Sequence, residues 1–453
     1  MFQKASWNHQ AKIISSVLEK APEFDKGFRL PAKEFEARQK KAWDMLQREG
    51  ADCGIVYSDE HYCGDVPYLA GNDNIIVEPM AAVLAKNGLY FIAGLESGIV
   101  AEQYCHRSGA KIRKVDILKV DRPDYPADLL TPAQIIQEAC GGKPQKVALL
   151  THHGVFPLAL YNAIRSYVGE ANICDLSQEY YKIKYEKSDL EMQLTQESCR
   201  ISDIMMEGML RILRPGMCET QVAQWGYAIA HELGVEELGF RIMVTTGRNN
   251  RTIVGHASNT VIQEGDVVHI GVGPKRDGLH GAQRASVMCV RDPSQITPEY
   301  KVWTDFLEGA FVFGVEKFQE ICRKGLPGYL HEQAMIDYYT RQVPALQKKL
   351  GIVLPENFSD LKGYVTTHNS GYTECQEGYG EFSLACQHPA AHQMVMMMDV
   401  GVKGYDTCWD DVVIPGLDYL VIEKTLGKTG NDVRVLNQLP LNLQYLVGEG
   451  FEA

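Results

Sequence analysis

The chain has 453 residues, 45% of them apolar and 23% charged, and its 45 basic against 58 acidic side chains leave a net charge of −13. A single core tends to stop growing near ~250–300 residues, so two domains are expected, and so ordinary a composition excludes a disordered or fibrous chain. The negative balance repels phosphate backbones and argues against nucleic acid as a partner.

The N-terminal MFQKASWNHQAKIISSVLEK lacks the apolar core of a signal peptide. No apolar run approaches the ~20 residues that span a bilayer. A cytoplasmic protein without membrane contact is therefore expected. Twelve cysteines are scattered with no CxxC pair, which predicts reduced thiols rather than a disulfide scaffold or a zinc ribbon.

From Phe35 to Gly50, FEARQKKAWDMLQREG spaces its apolar residues for a helix and ends on a glycine suited to the position after one. CGIVYS then has the length of a buried strand. MAAVLAKNGLYFIAG splits two apolar runs at Asn87-Gly88, a strong hairpin signal, and KVALL (146–150) reads as a further strand. Helices alternating with strands predict an α/β domain over residues 1–181.

Near residue 182 the pattern changes to a long amphipathic helix that stops at Arg214-Pro215-Gly216. Beyond it the spacing predicts a helix at 220–233, strands at 240–246, 266–273 and 284–290, and a helix around 301–323. Strands near 394–400 and 410–414 complete the reading. Helices followed by hairpins predict an α+β domain over residues 182–453.

Several ordered pieces of this second half carry a resemblance. KIKYEKSDLEM, RPGMCETQVA, GHASNTVIQEGDVV, THNSGY, MVMMMDVG and WDDVVI occur in sequence, and Tyr68-Leu69-Ala70-Gly71 adds a piece in the first half. Together they resemble the superfamily of creatinase, aminopeptidase P, prolidase and methionine aminopeptidase. The resemblance implies a pita-bread catalytic domain behind a smaller creatinase-like α/β domain, and a homodimer.

Metal-dependent members hold two divalent ions that share a water, using two aspartates, a histidine and two glutamates. Aligned on Gly265-Asp266, Gly273 and Gly278, the aspartate positions fall on Gly271 and Ala282, which offer no ligand. His368 keeps the histidine, Asp399 replaces the first glutamate, and Trp409 takes the second and could fill the metal cavity. The expectation is that no metal or other cofactor is bound, since affinity follows ligand number and charge. Recruiting His269, His280 or Asp410 would rebuild a single-metal site.

The resemblance to the creatinase branch implies that His256 does acid/base work, because an imidazole pKa near ~6.5 suits proton transfer to and from water. His368 is the second catalytic candidate. Asp399, Glu374, Cys375 and Trp409 are expected around the substrate, with Glu377 and Glu381 in the same stretch. Arg284 stands where the creatinase branch carries a glutamate facing a guanidinium, which predicts a substrate with an anionic group. The reading is a hydrolase that cleaves a C–N bond in a small molecule or short peptide without metal. A metal-dependent Xaa-Pro peptidase with a rearranged site and a non-catalytic binding protein of the same fold are its alternatives.

Overall fold

Residues 4–120, 129–373 and 379–452 are described by a computed structural model, and the chain divides into two units. The smaller spans residues 28–186 with 371–379, and the larger spans 1–27, 187–370 and 380–453. The boundary expected at 181/182 thus lies a few residues on, and the first 27 residues go with the larger unit. The cause is helix α1 (Lys4–Leu18), whose Ile13, Ile14 and Val17 are buried in one core with Met205, Met209 and Ile229.

In the smaller unit, helix α2 (Ala32–Arg48) precedes strand β1 (Cys53–Ser58) and a short helix, α3 (Asp65–Ala70). Strands β2 (Met80–Ala85) and β3 (Gly88–Ala93) form the hairpin read at Asn87-Gly88, with Gly88 at φ +101°, where L side chains are strained. Strands β4 (Lys111–Lys114), β5 (Val147–Leu149) and β6 (Ile173–Asp175) complete a six-stranded sheet in the order β4-β3-β2-β1-β5-β6. Antiparallel pairing in the middle and parallel pairing at both edges make it a mixed sheet. Helices α4 (Leu95–Tyr104), α5 (Pro132–Cys140), α6 (Leu158–Val168) and α7 (Ser177–Tyr185) belong to it. The inward residues of α5 and α6 bury against the sheet's apolar side chains.

The larger unit begins its main run with α8 (Asp189–Ile212), started by a Ser188/Glu191 capping box and ended ahead of Pro215. After α9 (Glu219–Glu232) come β7 (Met243–Thr246), β8 (Val267–Val272), a two-residue hairpin of β9 (Lys275–Arg276) with β10 (Leu279–His280), and β11 (Gln283–Met288). Helices α10 (Pro298–Lys324) and α11 (Tyr329–Leu350) lead to β12 (Thr367–Asn369), β13 (Gln393–Lys403), β14 (Tyr419–Thr429) and β15 (Asp432–Val435). The sheet runs β12-β13-β14-β11-β8-β7, with β15 beside β14. An α/β unit with an α+β unit is the expected class.

Two details depart from the sequence reading. No strand forms at 410–414: residues 404–418 are turns crossed by one bridge between Tyr405 and Val412, and Pro415 with Gly416 at φ +81° ends that excursion. The strand is β14 instead, whose charged Glu423, Lys424 and Lys428 are all buried and so hide it from a search for apolar runs. Helix α11, with Pro344 inside it, also escaped the reading. No helix among the described residues is long and apolar enough to cross a membrane.

Candidate functional site

The register of the larger sheet places four residues on one rung. Arg284 on β11 lies opposite Gly271 on β8 and opposite Glu423 on β14, and Glu423 lies opposite Asp399 on β13. Side chains at one rung point to one face of a sheet, so these groups must meet. His368, opposite Met397 on the same face as Asp399, and His269, two residues before Gly271, extend the patch.

Arg284 occupies the middle of it and is 3% exposed. Its Nη1 donates to Asp399 Oδ2 at 2.9 Å, to Glu423 Oε2 at 3.3 Å and to the Tyr364 hydroxyl. Nη2 donates to the Ile253 carbonyl at 2.7 Å and reaches the Tyr419 hydroxyl at 3.4 Å, while Nε donates to His269 Nε2 at 3.1 Å. Tyr364 donates in turn to Asp399 Oδ2 at 2.5 Å. Burial works against the guanidinium charge, but Tyr364, Tyr419, Asp399 and Glu423 outweigh it and hold the arginine pKa well above its ordinary value.

Every nitrogen of that fork has an acceptor. The expectation that Arg284 offers its fork to an anionic substrate is therefore corrected: the chain's own carboxylates already hold it. Gly271 makes the arrangement possible. A Cβ there would lie 3.1 Å from Arg284 Cγ and 3.2 Å from Met243 Sδ, tighter than an ordinary contact, so a side chain in its place would press on the arginine stem and the methionine.

The two candidate histidines share a local design. His256 is exposed, and its Nδ1 lies 3.0 Å from its neighbour's carbonyl, Ala257 O. His368 Nδ1 lies 3.1 Å from Asn369 O. In each case the carbonyl can only accept, so Nδ1 carries a proton, and in a neutral imidazole the lone pair then sits on Nε2. Burial lowers the His368 pKa, and the Asp399 charge opposes that only in part, so its imidazole is neutral at pH 7. His256 follows Ile253 by three residues, and Ile253 adopts φ +60°, an outlying conformation for a β-branched residue, while its carbonyl accepts from Arg284.

The remaining candidates fall elsewhere. Trp409 does not fill a metal cavity. It is 38% exposed in the 404–418 turns, with the Arg248 guanidinium 5.7 Å above its ring. Asp410 pairs with Arg248 at the surface. His269 is buried as a neutral imidazole: burial and then the Arg284 charge push its pKa well below the ordinary value, and Nδ1 faces Thr245 Oγ1 at 3.4 Å. His280 is buried in the β9–β10 hairpin, against Gly239. Glu374, Cys375 and Glu377 lie outside the described residues, and Glu381 is exposed.

Sequence reasoning missed Glu423. Its signal was VIEKTLGKT, an acidic residue alternating with apolar ones in a second long strand, which WDDVVI displaced from the alignment. Tyr364 and Tyr419 were missed as well, since isolated tyrosines carry no motif.

Residues 193–408 match the profile described as Metallopeptidase family M24. That stretch is similar to the family, and the fold of the chain is that of prolidases and aminopeptidases. It is 21% identical over 347 residues to an uncharacterised peptidase, YqhT, of Bacillus subtilis (strain 168), a match covering 75% of this chain and 89% of that protein. The Xaa-Pro dipeptidase of Bacillus anthracis superposes with a TM-score of 0.67 at 20% identity, over 91% of this chain and 99% of that one. The X-Pro aminopeptidase of Thermotoga maritima MSB8 does so with 0.69 at 17% identity, over 89% and 98%.

The family match overturns the expectation that no cofactor serves this fold, because the matching family is one of metallopeptidases. The chain also keeps two buried carboxylates where one had been read, Asp399 and Glu423. The residues nevertheless do not fit a pair of ions as they stand. Among the described residues no three His, Cys, Asp or Glu side chains gather as a metal-binding group, and a guanidinium lies against both carboxylates.

Proposed function

We propose that the chain hydrolyses a C–N bond in a short peptide or small amide, with His256 as the proton-transfer group. The supporting observation is the anchoring of Nδ1 in both histidines, His368 on the face of the charged row and His256 three residues after Ile253, whose carbonyl accepts from Arg284. In the step envisaged, His256 Nε2 takes a proton from water as the water oxygen attacks the carbonyl carbon. The C–N bond then breaks, and the imidazolium returns that proton to the departing nitrogen. His368 Nε2 and Asp399 Oδ1, a buried atom with no hydrogen-bond partner among the described residues, would accept N–H groups of the substrate.

The names of the relatives make proline peptides the first compounds to try. The working form in this reading is a cytoplasmic homodimer, which light scattering on the purified protein and cell fractionation would check. The deciding experiment is a screen of proline peptides, small amides and amidines, with and without chelator, using His256→Ala as the control. Turnover of one compound that His256→Ala abolishes is expected. Tight binding of a compound with no turnover of any would replace the hydrolase by a ligand-holding protein, a reading favoured by the Arg284 plug between the carboxylates.

A further inference from the structure

We infer that Arg284 is an internal cation that competes with a divalent metal ion for the Asp399–Glu423 pair, so that replacing this one side chain opens a cation site in the larger sheet.

Three observations carry this. The first is position. The guanidinium touches one oxygen of each carboxylate, at 2.9 and 3.3 Å, from the strand that lies between Gly271 and Glu423. A cation placed between two carboxylates is the arrangement a hard metal ion uses, and here nitrogen donors supply it.

The second is charge. One guanidinium faces two carboxylates, and the imidazole on Nε is held neutral by the hydrogen bond it accepts. Asp399 Oδ1 remains buried without a partner among the described residues, so the arginine does not complete the coordination of the acids it joins. A small doubly charged ion would balance both acids, which one guanidinium does not.

The third is space. The arginine stem passes through the volume that a side chain on Gly271 would need, at 3.1 Å from its would-be Cβ. Glycine at 271 thus leaves room for the arginine at 284, with Met243 crowding the same position. Shortening Arg284 empties that volume and removes the guanidinium from one oxygen of each acid. It also releases the Ile253 carbonyl, and with it the φ +60° turn that precedes His256.

The test uses Mn2+ as the probe on the purified full chain and reads affinity by calorimetry or electron paramagnetic resonance, so failure of the hydrolase reading leaves the result intact. Arg284→Thr is expected to bind one Mn2+ about tenfold or more tighter than the unaltered protein, since hard-cation affinity follows free carboxylate ligands. Adding Asp399→Asn to that variant should remove the gain. Should Arg284→Thr fold poorly, Arg284→Met keeps more of the stem's volume, and refolding in Mn2+ becomes the second readout, with recovery only in the presence of the ion expected. The inference is overturned if the folded variants bind Mn2+ no better than the unaltered chain. It is equally overturned if neither variant folds even in excess Mn2+, because the ion then cannot take the place of the guanidinium.

Discussion

Each unit buries an ionic cluster, and the two are built on opposite principles. In the smaller unit Lys184 and Asp65 pair at 2.6 Å, their side chains 1% and 0% exposed. Thr151 donates to the second Asp65 oxygen at 2.7 Å and Tyr181 reaches it at 3.4 Å, so both carboxylate oxygens are satisfied. In the larger unit one guanidinium serves two carboxylates and leaves Asp399 Oδ1 without a partner among the described residues. A balanced, closed cluster is a brace. An unbalanced one retains the capacity to take another ligand, because buried polar atoms left unmade are costly and seek a partner.

The sharpest way to break the comparison is at the brace. Lys184→Met should strand a buried carboxylate and cost about 3–5 kcal/mol in denaturant unfolding, the range for removing one partner of a buried pair. A loss within ~1 kcal/mol would mean that the pair is not the closed brace described.

At the open cluster the expectation is functional rather than structural. His256→Ala should lower turnover of any substrate found by about 10²–10⁴-fold, the usual contribution of a general acid/base. Its thermal unfolding should shift little, since the residue is exposed. A large loss of stability with unchanged turnover would assign His256 to the scaffold.

A pH series sharpens the role of the buried imidazoles. His331, whose Nε2 meets the Gly314 carbonyl, is pushed down to about 4, chiefly by burial, and His269 and His368 are lowered for the same leading reason. Below an unfolded pKa near ~6.5 the unfolded chain binds protons that the folded chain refuses, so stability is full above that pH and falls as pH drops. His331 alone should account for roughly 2 kcal/mol between pH 7 and 5. Unfolding of His331→Asn at both values would show a shallower loss, and an unchanged slope would contradict it.

The smallest effect is expected at Trp409→Ala, within about 0.5 kcal/mol and without change in ligand binding, as for a surface residue outside the charged rung.

Much of the frame was legible because backbone register depends on apolar faces and turns that mutation of the rung does not disturb. The Asn87-Gly88 hairpin, the stop before Pro215 and the strands around Gly271 and Arg284 were all read from the residues. The rung itself was only half legible. Asp399 was found through its Val400-Gly401 neighbours, but Glu423 sits in a buried strand bearing three charges, and apolar patterning cannot locate such a strand. Arg284 was noticed for its charge, yet its saturation by Asp399, Glu423, Tyr364 and Ile253 is a long-range fact, set by strands and turns far apart in sequence. The expectation of a cofactor-free site followed from the same omission, since one of the two carboxylates had been assigned to Trp409.

The most direct measurement is anomalous diffraction at the manganese edge from crystals of the unaltered protein and of Arg284→Thr, both soaked in Mn2+. The expected result is a peak within coordination distance of Asp399 and Glu423 in the variant, with the guanidinium bridging the two acids wherever the unaltered protein shows no peak. A variant without a peak, or an unaltered protein with an ion between the acids while Arg284 still contacts both, would contradict the competition on which this account rests.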